Sequence, residues 1–121
     1  MEEYDLQPLR ITAGWNVEWN LFYEVSPSKE TMRYLDSSSL LHISNYNLMR
    51  SINLDFRPDD DPNGFYFLRV INLTKKTNLK NKTVDYDGDW ENLYFELKSK
   101  NRLEIVKEIE RLFIQIPVFK G

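Results

Sequence analysis

Phe65-Tyr66-Phe67-Leu68-Arg69-Val70-Ile71-Asn72-Leu73 carries apolar residues at both odd and even positions. Successive side chains of a strand point to opposite faces, so a run of aromatic and branched residues at both parities reads as a central strand covered on both sides. Upstream, Leu48, Ile52, Leu54 and Phe56 are apolar at even positions, while Ser51, Asn53, Asp55 and Arg57 face outward and Arg50 breaks the pattern. Pro58-Asp59-Asp60-Asp61-Pro62-Asn63-Gly64 separates the two strands with turn-forming residues. Further upstream, Leu40-Leu41-His42-Ile43-Ser44 reads as a short strand reversed by Asn45-Tyr46-Asn47. Downstream, Leu93-Tyr94-Phe95-Glu96-Leu97 alternates and feeds a helix. Asn101 with Glu104 has capping-box spacing, and Leu103, Val106, Ile109, Leu112, Phe113 and Ile116 recur at helical spacing up to Pro117, which is expected to end the helix. Strands followed by a helix imply an α+β fold, an antiparallel meander-like sheet of about five or six strands with one C-terminal helix packed on one face.

Two other stretches complete this reading. From Leu9 to Val25 every odd position is apolar or small, which predicts one long twisted strand or two strands joined by a three-residue turn at 14–16, with Trp15 and Trp19 facing the core. From Thr74 to Asp89, Lys75, Lys76, Lys80 and Lys82 precede Asp85, Asp87 and Asp89, and this polar tract is expected to be the longest, most mobile loop.

At 121 residues the chain fits one domain spanning 1–121, and size scaling has it bury about two-thirds of its extended surface. It has no cysteine, which removes disulfides, thiolate nucleophiles and Cys-based metal centres. A formal charge of −3 argues against nucleic acid or an anionic membrane held by bulk charge. The start Met1-Glu2-Glu3 lacks a basic, apolar leader, and no stretch approaches the ~18 apolar residues of a membrane span. A cytoplasmic protein is therefore expected, and the sequons at Asn72 and Asn81 carry no meaning there.

Few residues offer chemistry. His42 is the sole imidazole, and no Gly-x-Ser-x-Gly elbow accompanies it, so it reads as a hydrogen-bonded strand residue and not a catalytic base. Asp59-x-Asp61-x-Asn63-Gly64 opens like a calcium loop, but its twelfth position is Val70 where a bidentate Glu belongs. Asp85, Asp87 and Asp89 form a second oxygen-rich tract without the full pattern. No cofactor and no metal site is expected. The two acidic tracts can instead present a field to a basic partner, with Tyr86 and Trp90 as aromatic anchors.

Ile11-x-x-Gly14-Trp15-x-Val17, Asn20-x-Phe22-Tyr23-Glu24-Val25-Ser26-Pro27, Leu40-Leu41-x-Ile43, Leu54-x-Phe56-x-Pro58 before Gly64, and Asp89-Trp90-Glu91-Asn92-Leu93 resemble small bacterial immunity proteins of polymorphic toxin systems. Ser99 and the helix from Glu104 to Glu110 extend the resemblance over nearly the whole chain. It implies a protein without catalysis of its own that binds a cognate toxin domain and occludes it. The expected partner surface is Asp59, Asp60, Asp61, Asp85, Tyr86, Asp87, Asp89 and Trp90. The alternative is a small-ligand or Ca2+-binding module using the same acidic tracts.

Overall fold

A computed structural model describes residues 4–36 and 38–118, with side chains described as far as 114. Met1-Glu2-Glu3 and the side chain of Ile116, read above, lie outside the described residues, as does Ser37. The strands are β1 (Asn16–Asn20), β2 (Leu41–Asn45), β3 (Arg50–Arg57), β4 (Phe65–Asn78), β5 (Thr83–Asp89) and β6 (Phe95–Ser99), followed by α1 (Arg102–Val118). They form one six-stranded antiparallel sheet in the order β1-β2-β3-β4-β5, with β6 also paired to β4, so the α+β architecture expected from the sequence is the one observed.

The 65–73 run is the middle of the sheet. Val70 pairs with Ile52 on one edge and with Phe95 on the other, and Asn72 pairs with Arg50 and Asp89. β5 and β6 are thus collinear along one edge of β4, and Trp90–Tyr94 is an excursion between them.

Even positions of β3 and β4 build the core. Ile52, Leu54, Phe56, Tyr66, Leu68 and Val70 are fully buried, joined by Leu41 and Ile43 of β2. α1 covers this face through Ile105, Ile109, Leu112 and Phe113. The helical stripe therefore runs through Ile105, and Leu103, expected inward, is 63% exposed.

The start of α1 is capped as its spacing suggests. Asn101 Oδ1 accepts the backbone N–H of Leu103 at 2.9 Å and of Glu104 at 3.2 Å. Asn101→Ala is expected to lower stability by about 1 kcal/mol, read as a lower urea midpoint at unchanged slope; an unchanged midpoint would deny the cap a role. Pro117 does not end the helix, which runs to Val118. Proline removes one N–H, so the Phe113 carbonyl loses its usual donor four residues on; the Thr12 hydroxyl donates to it at 3.4 Å.

The expected strand at 9–25 is also corrected. Gly14 sits at φ +94°, breaking the run into separate pieces. Backbone around residues 5–7 pairs with 22–24, through Gln7 N to Phe22 O at 2.7 Å and Glu24 N to Asp5 O at 2.8 Å, while only β1 joins the sheet. Trp15 and Phe22 reach the core, Trp15 against Phe113 at 5.3 Å between ring centroids. Val17 and Trp19 are exposed.

Nor is 74–89 a loop. Beyond Asn72, β4 pairs only with β5, and the two form an exposed ribbon turned at 79–82. Lys76 lies opposite Asp85 and bonds to Asp87, so the switch from lysines to aspartates is cross-strand charge complementarity.

Tyr66 carries a further consequence of burial. Its hydroxyl has no hydrogen-bond partner among the described residues, and burial pushes the phenol up to about 12 against a smaller opposing pull from Arg102. An unfolded tyrosine ionises near 10, so the unfolded chain loses this proton first. The contribution is intact below about pH 10 and is lost as pH rises toward 12, on the order of 3 kcal/mol. Tyr66→Phe is expected to flatten this alkaline decline in denaturant melts. At neutral pH it should cost nothing, because it removes an unpaired buried group. A Phe variant with the parent's alkaline slope would contradict this.

Candidate functional site

The sheet face away from α1 is built from the odd positions of β3 and β4 and the even positions of β2. Cross-strand register sets His42 beside Asn53, Ser44 beside Ser51, Ser51 beside Ile71 and Asn53 beside Arg69. In the sequence these are simply the outward residues of two amphipathic strands, yet Ser44, Ser51 and Asn53 are buried.

A register shift between Val17 and Trp19 makes Glu18 the extra residue of a β-bulge. A bulge re-aims side chains. Here Glu18 and Trp19 both border the same hollow as His42 and Asn53, about 390 Å³ in volume. The Trp19 indole N–H donates to the Ser39 carbonyl at 2.7 Å, which fixes the ring although half of its surface remains exposed.

Hydrogen bonds tie these side chains into one chain. The Ser39 hydroxyl donates to Asn53 Oδ1 at 2.8 Å, and His42 Nδ1 lies 3.2 Å from the same oxygen. A carbonyl oxygen only accepts, so the proton in that contact belongs to Nδ1 and Nε2 is the outward nitrogen. Nε2 faces Glu18 Oε2 at 3.8 Å, beyond hydrogen-bonding distance. The Ser39 hydroxyl is thus directed to Asn53 and not to the imidazole, which differs from the hydroxyl–imidazole–carboxylate relay of a serine hydrolase. Ser44 and Ser51 pair their hydroxyls at 2.6 Å. Farther along the face, Arg69 bridges Asp55 at 3.3 Å and Glu96 at 2.8 Å. Burial raises the Asp55 carboxyl above its ordinary range, with Arg69 and Arg57 opposing the rise.

A second hollow of about 200 Å³ adjoins the first, with Glu18 and His42 common to both. Ser44 and Ser51 line it beside Ile71 and Leu73, together with Tyr46, Tyr86 and Trp90. Tyr46 and Tyr86 pack with ring centroids 4.4 Å apart. Gly88 permits this arrangement: a Cβ there would come within 2.5 Å of Ile71 Cδ1 and 3.3 Å of Trp90 Nε1. A larger, open groove of about 650 Å³ lies between β6 and the start of α1, where Glu104, Lys107 and Glu108 belong to a solvated helix face.

The residues singled out from the sequence do not form one surface. Asp59, Asp60 and Asp61 occupy the β3–β4 loop, where Asp59 pairs with Arg57 at 3.1 Å and Asp61 Oδ1 accepts the Asn63 N–H at 2.8 Å. Asp85 lies opposite Lys76, about 35 Å along β4 from that loop at about 3.3 Å per residue. By strand alternation Asp85 and Asp87 face away from Tyr86. Asp89 Oδ1 accepts the backbone N–H groups of Glu91 and Asn92, each at 3.1 Å, holding the turn that carries Trp90. Tyr86 and Trp90 alone of the expected set line the hollow, sharing its lining with Glu18, His42 and Tyr46. Sequence reasoning missed Glu18 and Trp19 because a bulge is silent in an alternating pattern. The run of small polar residues at outward positions of β2 and β3 was the available signal for Ser44, Ser51 and Asn53.

Among the described residues no group of three or more His, Asp or Glu is placed to hold a metal ion. None of their helices is long and apolar enough to cross a membrane. Comparison with protein families, curated proteins and solved structures finds no match to this chain.

Proposed function

We propose that this chain is an immunity-type protein that binds a cognate toxin domain through the open face of its sheet and neutralises it by occlusion, without catalysis of its own. The observation that carries this reading is the exposure of Trp19, Tyr86 and Trp90 around a buried polar floor on the one sheet face that α1 leaves uncovered. Large aromatic side chains beside desolvated polar groups are the usual composition of energetically dominant interface residues. The whole-chain resemblance supplies the class of partner, and the net charge of −3 suits a basic one. Asp59, Asp60 and Asp61 lie off this face and act at most on encounter. On the acidic side of the ribbon Asp87 is bonded to Lys76, with Asp85 across from the same lysine, and both contribute in the same way.

The test is co-expression with the product of the neighbouring reading frame, followed by affinity purification and a viability count. A stable complex with rescued growth is expected. A toxic, well-expressed neighbour that is neither bound nor neutralised would overturn the reading and bring the small-ligand alternative forward.

A further inference from the structure

Seven cation–aromatic contacts mark the described surface: Arg50 lies over Tyr94, Arg69 over Phe67, Lys98 over Phe65 and Arg111 over Phe95, among others. The rings of Tyr46, Tyr86 and Trp90 carry no such cation among the described residues. No Lys or Arg lines their hollow, whereas the Glu18 carboxylate stands on its wall.

We propose that this hollow receives the guanidinium of an arginine side chain presented by the protein partner. The assignment rests on the protein-binding reading above and names the group that is recognised. Glu18 is the counter-ion: His42 Nε2, at 3.8 Å, does not occupy its oxygens with a hydrogen bond, and they remain acceptors. The buried hydroxyls of Ser44 and Ser51 use one O–H between them and keep lone pairs for further N–H donors. The tilted Tyr46–Tyr86 pair and Trp90 offer π faces to a flat cation. A guanidinium matches this set better than an ammonium, because it is planar, stacks on rings and carries five donors in a fixed fork. Gly88 leaves room beside Ile71 and Trp90, since a Cβ there would come within 2.5 Å of Ile71 Cδ1 and 3.3 Å of Trp90 Nε1.

The probe is Nα-acetyl-arginine amide titrated into the full chain and followed at the Trp90 indole N–H resonance, assigned by its loss in Trp90→Phe. Saturable shifts with a midpoint of about 1–10 mM are expected, the weak end of the affinity scale. The neutral isostere Nα-acetyl-citrulline amide should give none, and Glu18→Gln should weaken arginine binding about tenfold, the loss expected when a charge-assisted contact is reduced to a neutral one. Equal responses to arginine and citrulline, or no change in Glu18→Gln, would overturn the assignment. A complex with the neighbouring gene product that forms while the arginine probe is silent would overturn the guanidinium and leave the partner reading standing. Probe binding without any complex or rescue would keep the guanidinium site and remove the toxin as its source.

Discussion

Trp15→Ala should cost about 3–5 kcal/mol of folding stability, the range for deleting a buried large aromatic, whereas Trp19→Ala should cost about 1 kcal/mol. The two tryptophans sit at the same parity four residues apart, so a strand pattern treats them alike. Trp15 is 8% exposed and packs on Phe113, linking the N-terminal segment to α1. Trp19 is 50% exposed and is held by a single hydrogen bond to the Ser39 carbonyl. Denaturant melts of the two variants separate these cases, and equal losses would contradict the bulge that turns Trp19 outward.

Trp90→Ala should weaken the complex with the partner by about 30-fold or more, the equivalent of about 2 kcal/mol, mainly through faster dissociation. Its effect on folding should be small, because Trp90 is 50% exposed and lies on an excursion between collinear strands. Converting Asp59, Asp60 and Asp61 to Asn should leave affinity within about threefold and alter only the salt dependence of association, as rim charges do. Surface plasmon resonance on both variants decides the matter. A dominant loss from the aspartates with little from Trp90 would move the interface to the β3–β4 loop.

These contrasts show which parts of the molecule were legible in the sequence. β2 and β3 could be read because the apolar side chains of each fall at one parity, Leu41 and Ile43 odd and Ile52, Leu54 and Phe56 even. The middle of β4 could be read because it is apolar at both, with Tyr66, Leu68 and Val70 buried under α1 and Ile71 buried on the other face. The α1 cap was legible for a similar local reason, since Asn101 acts on N–H groups two and three residues away. Errors arose where the determining interaction is non-local. The ribbon formed by β4 and β5 buries little, its Val84 and Tyr86 side chains being exposed, and its lysines and aspartates make sense only across the strand pair. The 9–25 run fails because Gly14 turns the chain and the bulge at Glu18 resets the parity. The candidate site was half visible. Tyr86 and Trp90 were identified, but the carboxylate beside them came from Glu18 on the opposite edge of the sheet and not from the aspartates flanking them in sequence. Acidic runs drew attention because they are contiguous, whereas the hollow is assembled from five strands or their turns.

The central claim is that the partner covers the sheet face opposite α1. Hydrogen–deuterium exchange of the chain alone and in complex with the neighbouring gene product tests it most directly. Slowed exchange is predicted across β1, the 86–94 segment and the Asn45–Met49 turn, with the outer surface of α1 and the β3–β4 loop unchanged. Slowed exchange confined to the β3–β4 loop or to α1, with the β1 and 86–94 amides unaffected, would contradict it.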